Sequence, residues 1–202
     1  IEPKNSNIFI SSAELMRKNS QYAEAEEILQ KLAVQNPADI SFKLLLADIY
    51  LEDFLKNKTK LNEEEKQTLL NRSLNNYKQG SNLSPNDADI HIKLAKVYLE
   101  LEKTAKAYDE LLIADELGIK DTENLYFLAD FYFKKENYGK AVKILQRPEL
   151  YNQNKSAKAH LLLAEIYEKL GDIENAKKEY SIALKITPKD KTITENLQRL
   201  TE

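Results

Sequence analysis

The chain has 202 residues, 42% of them hydrophobic, and a formal net charge of −3 from Lys+Arg 30 and Asp+Glu 33. That length suits one domain or two small ones, and the apolar share is enough for a real core. Acids and bases are interspersed with no basic stripe, which argues against a nucleic-acid partner; no apolar run approaches the ~18 residues of a membrane span; and the lack of cysteine removes disulfides, thiolate metal sites and cysteine nucleophiles together.

Gly and Pro are scarce, 4 and 5 residues, which leaves little turn chemistry for strand hairpins and favours helices. Leu, Ala, Lys and Glu, all good helix formers, dominate instead. The chain starts at Ile1 and its first residues are polar, so we expect a piece of something longer, or a mature chain whose export signal has been removed. A cytoplasmic and a periplasmic or envelope-associated setting both fit. Lys outnumbers Arg, and Asn and Ile are common, which points to an AT-rich bacterial genome.

A small residue precedes a tyrosine-like position by three along the whole chain: Ala13/Met16, Ala47/Tyr50, Ala95/Tyr98, Ala129/Tyr132 and Ala164/Tyr167. The alanines are spaced 34, 48, 34 and 35. A second small position, at Ala25, Ser73, Ala107, Ala141 and Ala176, is spaced 48, 34, 34 and 35. The single step of 48 is 34 plus 14, so 14 extra residues sit between Ala47 and Ser73. Within each period the apolar residues recur at three- and four-residue spacing, as amphipathic helices require.

In chain order the repeats fall at 6–39, 40–87, 88–121, 122–156 and 157–190. Pro37, Pro85 and Pro188 close the first, second and fifth, because proline cannot continue a helix. Residues 191–202 carry Ile193, Leu197 and Leu200 at helical spacing and predict a helix that covers the end of the stack.

The fifth repeat resembles the tetratricopeptide repeat, with Leu163, Ala164, Tyr167, Gly171, Ala176, Tyr180, Ala183 and Pro188 at the family's offsets. The resemblance extends over essentially the whole chain. It implies an all-α fold: a single domain over 1–202, a right-handed α-solenoid of about five helix-turn-helix units with a C-terminal capping helix. One hairpin cannot bury its apolar face alone, which is why several occur in tandem.

Three places depart from the pattern. The insertion, about 54–68, contains Asn62 followed by Glu63, Glu64 and Glu65, a helix start with acids in the first turn. It is expected to lengthen both helices of the second repeat by about two turns around a Lys-rich bend at 56–60, either as a tolerated surface extension or as a protruding contact arm. Pro148 should stop the second helix of repeat four near Gln146 or Arg147. An irregular crossing over 149–156 should follow, with Leu150 and Tyr151 refilling the lost packing. Gly80 replaces a small helix residue and carries no functional message at this level.

Chemistry-bearing motifs are missing from the sequence. His91 and His160 both occupy the fourth position of their repeats, two repeats apart, which predicts packing roles and no shared metal site. No Gly-rich phosphate loop or serine elbow occurs. We therefore expect no catalytic residues, no metal and no cofactor. The segment Glu123–Phe127 resembles part of a protease tag but keeps the repeat spacing, so it reads as native helix.

The family resemblance implies that the first helix of each repeat lines a concave face. Its fifth positions are Ile10, Leu44, Ile92, Tyr126 and Leu161; its ninth are Glu14, Asp48, Lys96, Asp130 and Glu165; its twelfth are Arg17, Leu51, Leu99, Phe133 and Glu168. Leu44, Leu51, Ile92, Leu99, Tyr126, Phe133 and Leu161, interleaved with Asp48, Lys96, Asp130 and Glu165, are the candidate partner-binding residues. The Lys/Asn/Arg clamp by which some family members hold a peptide carboxylate matches none of the three possible registers. The function expected is a non-catalytic protein- or peptide-binding module or scaffold. The alternatives are an oligomerising structural segment and an adaptor domain of a larger enzyme or assembly factor.

Overall fold

The computed structural model describes residues 3–151 and 156–201, with side chains from Ile8 onward. Among the described residues there are twelve α-helices and no strand. They fall into two compact units, 1–118 and 119–202, taken in turn below.

The N-terminal unit holds three helical hairpins: α1 (Pro3–Lys18) with α2 (Tyr22–Gln35), α3 (Ile40–Asn57) with α4 (Glu63–Leu83), and α5 (Ala88–Glu100) with α6 (Thr104–Leu117). Polar caps mark the starts of α3, α4 and α5. Asp39 accepts from the Ser41 amide at 3.0 Å and Asp87 from the Asp89 amide at 3.0 Å. Asn62 and Glu65 form a reciprocal capping box, each side chain accepting the other's backbone N–H at 2.9 Å. Such a cap stabilises a helix by about 1 kcal/mol. The paired small residues Ala13 and Ala25, Ala47 and Ser73, and Ala95 and Ala107 are all fully buried, which lets the two helices of each hairpin approach closely. The Ser73 hydroxyl, placed in this apolar seam, donates to the Ala47 carbonyl at 2.9 Å and so is not left unsatisfied.

The insertion lengthens α3 and α4 to 18 and 21 residues, against 13 and 14 in α5 and α6. Its base is part of the core: Phe54 and Leu70 are buried, and Leu69 packs against the first hairpin's cluster. Lys56 reaches back to the Ser20 hydroxyl at 3.1 Å and lies over the Tyr22 ring at 5.5 Å. Gly80 has a packing role that its sequence context did not reveal. A Cβ there would lie 2.6 Å from Leu44 Cδ2, so the missing side chain is what seats Leu44 against α4.

The C-terminal unit contains α7 (Thr122–Lys134), α8 (Tyr138–Leu145), α9 (Pro148–Tyr151), α10 (Ala157–Lys169), α11 (Ile173–Ile186) and α12 (Lys191–Thr201). Helix α8 stops at Leu145 with Gln146 as its C-cap, ahead of Pro148 as expected. The following segment differs from the irregular crossing expected at 149–156. Residues 148–151 form a helical turn, because proline at a first helical position needs no N–H partner and already has a helical φ. Leu150 is buried there, and the Tyr151 ring meets the His160 ring at a tilt of 57°, centroids 5.3 Å apart. Residues 152–155 of that segment lie outside the described residues. Helix α12 buries Ile193, with Leu197 and Leu200, against Ala164, Tyr180 and Ala183, and closes this unit as the capping helix.

The turn inside each uninterrupted repeat uses one device. Ser20, Glu102, Glu136 and Gly171 hold left-handed φ values of 61, 58, 58 and 75°. The amide of the next residue then returns to the carbonyl of Met16, Tyr98, Tyr132 or Tyr167 at 2.9, 2.8, 2.9 and 2.9 Å. In these four repeats the tyrosine-like position of the sequence series is thus the backbone acceptor that terminates the first helix.

No described helix is long and apolar enough to cross a membrane.

Candidate partner-binding face

In the C-terminal unit, α7 has two distinct faces. Leu125, Leu128, Ala129, Phe131 and Tyr132 are buried in the core. Tyr126, Asp130 and Phe133, spaced four and three apart, are half-buried and share the other side of the helix. Phe127 is also half-buried. Phe133 leans on the Tyr138 ring with centroids 6.0 Å apart. Helix α10 presents Leu161, Glu165 and Glu168, all half-buried.

These carboxylates differ in their compensation. Asp130 pairs with Lys134 on its own helix at 2.6 Å. Glu168 accepts from the Tyr180 hydroxyl at 2.5 Å and from Arg199 Nη2 of α12 at 2.6 Å. Burial pushes the Glu168 carboxyl up, but these two donors outweigh it and hold it below the ordinary glutamate value. Glu165 has no hydrogen bond or ion pair among the described residues. Burial, then the charges of Glu168 and Asp130, push its carboxyl above the ordinary value. The Tyr126 hydroxyl is also raised, by burial first and then by Asp130 and Glu165, which places it in the field of both acids. Tyr126 further lines a cavity of about 310 Å³ with Thr122, Glu123, Glu149, Leu150 and Lys158.

In the N-terminal unit the candidate residues are more fully occupied. Leu51 and Ile92 are buried and offer a partner almost no surface. Leu44 is half-buried against Gly80; Lys96 and Leu99 are half-buried. Asp48 is the centre of a polar network: it accepts from the Tyr77 hydroxyl of α4, pairs with Lys93 of α5 at 2.8 Å, and lies 3.6 Å from Arg17 of α1. Lys93 also sits over the Tyr77 ring at 5.7 Å. Burial, then the Asp48 charge, drives the Tyr77 hydroxyl far above its ordinary value, so it stays a donor.

The histidines are packing residues with a polar partner that single positions did not predict. His91 Nδ1 lies 2.7 Å from Glu110 and its Nε2 3.0 Å from the Pro85 carbonyl. His160 Nδ1 lies 2.7 Å from Glu179, which also accepts from the Tyr151 hydroxyl at 3.3 Å. In both repeats the acid follows the histidine by 19 residues, the one sequence signal that could have revealed the pair. No cluster of three or more metal-ligating side chains occurs among the described residues.

Helical hairpins of one period, with small residues in the seam, a left-handed turn and a capping helix, define a helical-repeat protein. The family described as "TPR repeat" matches residues 70–102, and the family described as "anaphase-promoting complex, cyclosome, subunit 3" matches residues 110–181. No curated protein sequence matches the chain. Among solved structures, MamA is similar with a TM-score of 0.68 at 18% identity, covering 91% of this chain and 92% of its own. YrrB, described as a TPR protein with an unusual peptide-binding site, reaches 0.68 at 15% identity, covering 95% of this chain and 90% of its own. A human IFIT1 dimer with PPP-AAAA reaches 0.60 at 19% identity, covering 89% of this chain and 48% of its own. The chain is a tetratricopeptide repeat protein, and its fold is an all-α solenoid of that type.

Proposed function

We propose that this chain is a non-catalytic binding module that holds a protein or peptide partner on the first-helix face of its repeats, centred in the C-terminal unit on Tyr126 and Phe133. The observation that carries this reading is the division of α7. Its core face is filled by Leu125, Leu128, Phe131 and Tyr132, so the unit does not need Tyr126 and Phe133 for its interior. The two half-exposed aromatics form an apolar patch of the kind a partner covers, and α10 adds the half-buried Leu161, which packs on the cluster of Ala164, Tyr180, Ala183 and Ile193. Aromatics are also enriched among binding hot spots, where truncation costs about 2 kcal/mol or more. Asp130 and Glu165 beside them favour a partner that brings positive charge over a nucleic acid. The fold likeness to YrrB, itself described as having a peptide-binding site, is consistent with this reading.

The test is the double variant Tyr126→Ala/Phe133→Ala, assayed for melting temperature and for capture of a partner from the native organism. Capture should fall at least about tenfold with a small change in stability. Unchanged capture, or a loss of several kcal/mol of stability, would put the binding face elsewhere.

A further inference from the structure

Two repeats of this chain carry corresponding acids with different compensation: Asp48 is bonded by a tyrosine and a lysine, Glu165 by neither. The Asp48 carboxylate accepts from Tyr77 of the paired helix and from Lys93 of the next repeat's first helix, at 2.8 Å. The corresponding positions in the C-terminal unit follow from the internal period. Pro85 and Pro188, Asp87 and Asp190, Ile90 and Ile193, and Tyr77 and Tyr180 are each 103 residues apart. The structure keeps this register. Asp190 caps α12 by accepting from the Thr192 and Ile193 amides at 3.0 and 3.2 Å, as Asp87 caps α5, and Ile90 and Ile193 are both buried. With the 14-residue insertion allowed for, Asp48 corresponds to Glu165, and Lys93 corresponds to Asn196.

The internal cation is therefore replaced by a neutral amide. Among the described residues no other cation forms an ion pair there: Lys169, one turn on in α10, lowers the Glu165 carboxyl but does not offset burial and the neighbouring acids. Arg199 is engaged by Glu168, as is the Tyr180 hydroxyl, and Lys134 by Asp130. Glu165 is left half-buried among like charges without an ion pair among the described residues. A carboxylate in that setting gains more from a cation than one in open water does.

We propose that Glu165 seats one basic side chain of the partner, lysine or arginine, in the place that Lys93 holds at Asp48, with Asp130 and Tyr126 flanking it. This rests on the binding face proposed above and makes it selective for peptides carrying a basic residue beside apolar ones. Asp48, already neutralised from within, contributes no such seat.

The experiment selects a displayed library of random linear peptides on the wild-type protein and measures the isolates by fluorescence polarisation. Isolates should be rich in Lys or Arg. Their affinity should drop at least about tenfold on Glu165→Gln, which removes a charge-assisted contact. It should drop similarly on Asn196→Lys, which supplies the cation internally, and be kept on Asn196→Gln. A partner-free readout accompanies this: the Glu165 side-chain carboxyl, followed by NMR, should titrate at lower pH in Asn196→Lys than in wild type. Isolates that are lost on Tyr126→Ala/Phe133→Ala but ignore both Glu165→Gln and Asn196→Lys would overturn the seat and leave the binding face standing. Isolates indifferent to the aromatic double variant would overturn the face itself. An unmoved Glu165 titration in Asn196→Lys would overturn the correspondence with Lys93.

Discussion

His160 and Glu179 are held 2.7 Å apart with only 2% and 4% of their surfaces exposed, so each is the main reason the other can be buried. Removing the imidazole leaves a buried carboxylate with only the Tyr151 hydroxyl at 3.3 Å. His160→Leu should therefore cost about 3 kcal/mol, measured by urea unfolding, while His160→Leu/Glu179→Leu should recover most of that loss. His91→Leu should cost less, because the Glu110 side chain is 20% exposed and water can take over. A His160→Leu loss below about 1 kcal/mol would show that the pair is not coupled in this way.

Glu165 and Glu168, one turn apart on α10, should titrate stability in opposite directions. The Glu165 carboxyl is raised by burial and by Glu168 and Asp130, so the folded state binds its proton more tightly than the unfolded state does. Stability is then lost as pH rises from the ordinary glutamate range through the raised value. Glu165→Gln should stabilise the protein at neutral pH, with the gain vanishing in acid. The Glu168 carboxyl is held low by Tyr180 and Arg199 against the effect of burial. Its contribution is present above the ordinary range and is lost as pH falls, so Glu168→Gln should destabilise at neutral pH and matter little in acid. Melting curves from pH 3 to pH 7, roughly spanning the carboxyl range, decide both signs.

The left-handed turn residue is glycine only in the fifth repeat. Glu102 and Glu136 hold φ of 58° with a full side chain, a conformation that costs about 1 kcal/mol or more outside glycine. Glu102→Gly should stabilise by about 0.5–1 kcal/mol after the extra freedom of glycine in the unfolded chain is allowed for. A lower melting temperature would mean that the Glu102 side chain makes a compensating interaction.

Deleting 55–68 removes the end of α3, the bend and the first six residues of α4, and joins Phe54 to Leu69. The fold should survive, since Phe54, Leu69 and Leu70 are kept. The loss of Lys56, which touches Ser20 and Tyr22 from an exposed position, should lower the urea midpoint only slightly. Urea unfolding should stay a single cooperative transition; a collapse of cooperativity would show that the extension supports the first hairpin more widely.

The period, the hairpins, the Asn62 helix start and the stop before Pro148 were legible because each depends on local chemistry or on a repeated register. What stayed hidden depends on a second residue far along the chain. Gly80 looked neutral until Leu44, 36 positions earlier, was seen to need its space. Asp48 read as a free acid of the binding face because its cation is Lys93, 45 residues away. Leu51 and Ile92 share the periodic positions of Leu99 and Tyr126 yet are buried, since position within a repeat does not say what the neighbouring helix covers.

The alternation of the histidine–glutamate pair has a consequence for how the chain finds its own partners. Repeats of similar length invite mispairing, in which a helix folds against the wrong hairpin or against another molecule. In the fourth repeat the corresponding positions are Leu125 and Ile144, both buried and apolar. If α5 docked on α8, His91 would face Ile144; if α7 docked on α6, Glu110 would face Leu125. The first error leaves the buried His91 ring without its acid, at a cost of about 1–3 kcal/mol; the second costs less, because the Glu110 side chain is 20% exposed and water can reach it. We expect the clasp to set the third and fifth hairpins apart from the fourth. Converting both pairs to leucine would erase that distinction and leave a chain prone to domain-swapped dimers on refolding at high concentration.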